Sequence, residues 1–70
     1  MRRHYISSSV IRSYAFDAAT GRLEIEFLSG SQYRYSGVPK ATLEALEAAP
    51  SKGRFFDANI RERFPTERVR

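Results

Sequence analysis

Four consecutive residues, Ser51-Lys52-Gly53-Arg54, are the best placed for chemistry in this 70-residue chain. Ser51 follows Pro50 and precedes apolar residues at helical spacing, so it is a natural N-cap whose hydroxyl accepts from a backbone N–H two or three residues on. A helix start presents free N–H groups and the positive end of the dipole, while the glycine admits close approach and Lys52 and Arg54 add charge. Together these make a seat for a phosphate. Every helix start shares most of these features, so an ordinary cap stays open beside the phosphate reading. Gly53 weighs towards a contact, because glycine within a helix costs about 1 kcal/mol against alanine and wants a reason.

Tyr33-Arg34-Tyr35 offers a different chemistry, with rings that stack on unpaired bases and a guanidinium for a phosphate. On a regular strand, however, Arg34 points away from both tyrosines, so rings and cation do not serve one surface. Buried rings whose hydroxyls meet solvent or a bound group at the sheet margin reconcile the residues with the alternation. The tyrosines are then expected to matter for folding more than for binding. Enzymatic readings fare worse. Ser7, Ser8 or Ser9 with His4 and Asp17 is a triad in composition only, and the single histidine sits in a polar lead where solvation is its ordinary state. Glu24 and Glu26 alternate as a wetted strand face. Without cysteine, neither disulfides nor thiolate metal sites are available. No catalytic residue, metal site or cofactor is expected.

The element that positions these groups is a hairpin. Leu23, Ile25 and Phe27 alternate with glutamates, Ser29-Gly30 breaks the run, and Tyr33 and Tyr35 resume it. Two registers are open. A two-residue Ser29-Gly30 loop sets Tyr33 opposite Glu26, whereas a loop including Ser31 sets Tyr33 opposite Phe27 and Tyr35 opposite Ile25. The second is favoured, because a small domain needs the buried ring area. An earlier strand spans Val10 to Phe16, with a bulge to reconcile its mixed parity, and Asp17 to Gly21 form a turn. Pro39 suits a first helical position, and its helix runs to about Ala48 with Leu43 and Leu46 inward. From Ser51 a second helix runs to about Phe64, with Phe56, Ile60 and Phe64 on one stripe and Asp57 placed to pair with Arg61. That stripe is read as core before it is read as a stack for bases. The expected fold is α+β: a three-stranded antiparallel meander with two helices on one face, in the order β-β-β-α-α. It forms a single domain over residues 1–70 whose ordered core spans about 7–64, between a basic lead (1–6) and a charged tail (65–70).

Seventy residues bury only about 60% of the surface of the unfolded chain, so five Phe and four Tyr must supply much of the core. The net charge of +4 is uneven. Residues 1–22 carry four Arg against Asp17, residues 23–50 two bases against four Glu, and residues 51–70 six bases against three acids. Both ends are therefore basic, which suits an acidic partner such as nucleic acid and equally suits ordinary solubility. No apolar run approaches the roughly 20 residues of a membrane span, and no signal-peptide pattern opens the chain. A cytoplasmic location without membrane association is expected.

The ordered set of features resembles a family: the serine-led first strand, Leu23 to Phe27 with Gly30, Tyr33-Arg34-Tyr35, Val38-Pro39, Ser51-Lys52-Gly53-Arg54-Phe55-Phe56 and Asn59-Ile60-Arg61. It is similar over Ser7 to Phe64 to the KTSC domain, which occurs at the C-terminus of some lysyl-tRNA synthetases and as a small stand-alone bacterial protein. Phe16 departs from the pattern, since such sequences often carry Tyr there. Tyr33, Tyr35, Asn59 and Ile60 match the family's motif. The resemblance implies a domain of unassigned function, with RNA or tRNA binding suggested by its association with a synthetase. The expectation is a non-enzymatic module that binds RNA through Arg34, Ser51, Lys52, Gly53, Arg54 and Arg61. The alternative is a protein-interaction or homo-oligomerising module, in which a sheet face or free edge receives a protein partner.

Overall fold

Leu23 and Ile25 are wholly buried while Glu24 and Glu26 lie on the other face, the alternation that a half-covered strand requires. Around this strand the computed structural model, which describes residues 2–70, builds β1 (Arg3–Tyr5), β2 (Ile11–Asp17), β3 (Arg22–Phe27), β4 (Gln32–Tyr35), α1 (Lys40–Ala48), α2 (Lys52–Asn59) and β5 (Thr66–Arg68). The α+β class and the two helices hold, but the sheet has five strands rather than three. Its order is β1-β2-β3-β4-β5, antiparallel throughout. The two additional strands fall in the segments read as lead and tail. Each is three residues long and contributes no fully buried side chain, so neither shows an alternating signature.

The bulge in β2 is present. Ile11 faces Phe27 and Ser13 faces Glu26, leaving Arg12 as the extra residue, so Ile11 and Tyr14 share the apolar face despite unlike parity. Asp17 caps its turn: the Ala19 N–H donates to Asp17 Oδ1 at 3.0 Å. Gly21 closes that turn at φ +72°, and a Cβ there would meet the Val38 carbonyl oxygen at 3.3 Å, so the position demands glycine twice over. The β3–β4 register matches neither option. Tyr33 pairs with Ile25 and Tyr35 with Leu23, one pair further along than the favoured register and of the same parity. The cause is a three-residue loop, Leu28-Ser29-Gly30, in which the Gly30 N–H donates to the Phe27 carbonyl and the Phe27 N–H to the Ser31 carbonyl, both at 2.9 Å. Ser31 therefore belongs to the ladder.

Leu43 and Leu46 from α1 and Phe56 from α2, with Ile60, join Tyr14, Leu23, Ile25 and Tyr35 in a single cluster, which places both helices over the same sheet face. Pro39 is the cap of α1 rather than its first residue. Ser51 caps α2 as expected, its hydroxyl accepting from the Arg54 N–H at 3.4 Å. The second helix ends at Asn59, short of the expected Phe64. Ile60 is its C-cap, and Glu62 turns the chain at φ +61° so that residues 66–68 return beside β4. The ring of Phe56 meets those of Phe27 and Tyr35 edge to face at 5.3 and 5.5 Å. Phe56→Ala removes the ring that links α2 to two strands and is expected to cost about 3–5 kcal/mol, enough to unfold most of the protein in a thermal melt; an unchanged melting temperature would contradict this packing.

Candidate functional site

Ser51, Lys52, Gly53 and Arg54 come together at the start of α2, and the serine run that leads into β2 joins them. Ser7, Ser8 and Ser9 face Pro50, Ser51 and Lys52 across a polar recess of about 240 Å³. Two of these residues also serve the fold. The Lys52 ammonium donates to the Ala49 carbonyl at 3.3 Å, closing the end of α1, and has further N–H donors to spare. Gly53 lies against Val10, where a Cβ would stand 3.4 Å from Val10 Cγ2, an ordinary packing distance, so this neighbour does not by itself require the glycine. Arg54 is exposed.

Arg34 and Arg61 lie elsewhere. Arg34 is on the sheet face away from the helices, its guanidinium donating to Glu24 at 3.0 Å and to Glu67 at 3.4 Å. On that face Glu24 also receives Arg3 at 3.0 Å, while Arg3 donates to the Ser13 hydroxyl at 2.9 Å, which donates in turn to Glu26 at 2.8 Å. One network of alternating charge thus crosses all five strands. Arg61 lies past the end of α2 and pairs with Asp57 at 3.5 Å, as its spacing predicts, although both groups are largely exposed. Asn59 donates to the Phe55 carbonyl at 3.2 Å, and Ile60 is wholly buried, so these two motif residues shape the end of the helix.

A second concavity has no counterpart in the sequence reading. Val10, Phe27, Tyr33, Tyr35 and Phe56 form the apolar walls of an open cleft of about 510 Å³. Asp57, Arg61, Glu62 and Thr66 form its rim. Tyr35 is buried and Tyr33 half-buried, which agrees with rings turned inward from the sheet margin. Burial pushes the Tyr35 phenol up to about 12, with neighbouring Tyr33 adding to the rise and Arg61 opposing it. Only the tyrosines and the phenylalanine stripe hinted at this cleft, because its walls come from four separated stretches of chain. Tyr14 acts away from it. The Tyr14 hydroxyl donates to Glu47 on α1 at 2.6 Å, and burial together with that carboxylate holds its proton well above the ordinary phenol range.

The sequence pattern of the KTSC domain matches residues 7–64. The chain belongs to the KTSC domain family. A KTSC domain protein from Yersinia pestis has the same fold, with a TM-score of 0.95 and 38% identity over 99% of this chain and 97% of that one. An uncharacterized protein from Stutzerimonas stutzeri is 44% identical over 57 residues, covering 81% of this chain and 80% of its own length. A lysine–tRNA ligase from Nostoc punctiforme is 43% identical over 61 residues, which is 87% of this KTSC domain but 11% of the ligase. The chain therefore spans about a ninth of that enzyme. Among the described residues, no helix of the KTSC domain is long and apolar enough to cross a membrane.

Both phenol shifts run upward, so the folded state favours neutral tyrosine. This contribution is complete below pH 10, the ordinary phenol value, and is lost as pH rises through about 12 for Tyr35. Urea denaturation should accordingly show stability falling above pH 10, and a flat profile would contradict the shifts. Tyr14→Phe, by contrast, should cost about 1.5–3 kcal/mol already at neutral pH, since it deletes a hydrogen bond to a charged group; an unaltered urea midpoint would show that bond to be idle.

Proposed function

We propose that this KTSC domain is a non-enzymatic RNA-binding module whose phosphate contacts are made at the first turn of α2. The observation that carries the reading is the recess that Ser7, Ser8, Ser9, Pro50, Ser51 and Lys52 line beside the start of α2, polar throughout except for Pro50 and without an acidic residue. Arg54 adds a second, exposed cation one helical step away. The similarity to a segment of a lysine–tRNA ligase supports RNA as the source of the phosphate. Arg34, engaged on the opposite face, contributes to the sheet rather than to this contact, and Arg61 stands at the other end of α2.

Backbone contacts of this kind confer little sequence preference and weaken steeply with salt, with a slope of about −0.7 per single-strand phosphate neutralised. Titrating the isotopically labelled protein with single-stranded RNA and with tRNA, at low and moderate salt, should shift amide resonances at residues 7–9 and 51–54. Arg54→Glu is the cleaner variant, since Lys52 also closes α1, and it should abolish the shifts without altering the melting temperature. Absence of any clustered shift with either RNA at low salt would overturn the reading.

A further inference from the structure

The cleft beside α2 holds an observation that is independent of any basic stretch. Tyr35 is only 3% exposed and lines the cleft, yet among the described residues its hydroxyl has no hydrogen-bond partner. No fully sealed side-chain oxygen or nitrogen among those residues goes unpaired, so this hydroxyl keeps some access to solvent in a residue that lines the cleft. A buried phenol without a protein partner, facing a cavity, is a donor held ready for something else.

We propose that the cleft takes one unstacked nucleobase, whose edge accepts a hydrogen bond from Tyr35 Oη; the inference rests on the RNA reading for the source of that base. Its volume of about 510 Å³ falls within the roughly 300–1,000 Å³ of small-ligand sites. Phe27 already meets the rings of Tyr33 and Phe56 edge to face, at 5.9 and 5.3 Å, so a guest lies against this aromatic cluster rather than between two of its rings. Charge narrows the choice. Arg61 at the rim is offset by Asp57 and Glu62, so the cleft itself does not attract a polyphosphate. Arg68 already lies 5.9 Å over the Tyr33 ring, so a cationic guest meets a guanidinium in place. An aliphatic guest would leave the Tyr35 hydroxyl unpaired. A neutral planar heterocycle with an acceptor on its edge meets all three conditions. Val10, which lies against Gly53 at the start of α2, also lines the cleft, so the phosphate recess and the base site adjoin along one helix.

The test compares a short oligouridine, the same strand made abasic, and the four free nucleosides, read by affinity and by amide shifts around the cleft. The intact strand should bind more tightly than the abasic one. Tyr35→Phe keeps the ring and forfeits no hydrogen bond within the protein, so its melting temperature should be unchanged or higher. It should lose about threefold to tenfold of the affinity for the intact strand and none for the abasic strand. Equal binding of intact and abasic strands by the unaltered protein would overturn the base site and leave the phosphate contacts standing. Cleft shifts with nucleosides, in a protein that binds no RNA strand, would keep the base site and overturn the RNA reading. Nucleosides and strands that all leave the cleft resonances in place would remove the proposal.

Discussion

A domain of this size has only enough apolar surface to cover one face of its sheet, and that constraint sorts nearly every residue in the chain. Leu23, Ile25 and Tyr35 turn towards α1 and α2, and their neighbours in sequence must then live on a face that nothing covers. That face is satisfied from within. Glu24 holds Arg3 from one edge strand and Arg34 from the neighbouring strand, and Arg34 reaches on to Glu67 at the other edge. The network runs from a sheltered Glu24, 15% exposed, to an open Glu67, 70% exposed, and only the pair at that open end is of the surface kind worth about 0–1 kcal/mol. Its effect is positional. Because β1 and β5 contribute no fully buried side chain, shared charge and backbone bonds set where they lie.

The same sorting explains what could be read from the sequence. Alternation at Leu23, Ile25 and Phe27 marked β3, serine and proline marked the ends of the helices, and the odd parity of β2 marked its bulge. The edge strands left no such trace, since Arg3-His4-Tyr5 and Thr66-Glu67-Arg68 pair through backbone groups that every sequence possesses. Phe56, Ile60 and Phe64 continue a helical stripe past the point where the helix stops. Its terminator is Glu62 in the left-handed region, a conformation that glycine or asparagine would have announced and glutamate does not. The half of the candidate site at Ser51 to Arg54 was legible because capping is local. Its partner, the serine run, became part of it only through the path of the chain before β2.

The early end of α2 is also what opens the aromatic cleft. A helix continued to Phe64 would carry the chain away from the sheet. The turn at Glu62 instead brings Thr66 back beside Tyr35, leaving a gap between helix end, returning strand and the aromatic face. A non-glycine residue at positive φ costs about 1–2 kcal/mol, which the ladder from β4 to β5 helps to offset. Core and cleft share residues in consequence: Phe56 and Tyr35 seal one and wall the other.

Strand order follows chain order, and this has a kinetic meaning. Each of the first three pairings joins neighbours across a short connection, four residues between β3 and β4, whereas β5 must wait for the thirty residues that contain both helices. Closing a flexible loop of that length costs about 2 kcal/mol more than closing one of four, and less once the helices have condensed and shortened the span. The route of least entropy therefore builds hairpins first, folds the helices onto them, and adds the last strand as a latch across an assembled sheet. Such a latch is the least committed part of the fold, able to release without the core, and it carries the guanidinium that rests on Tyr33.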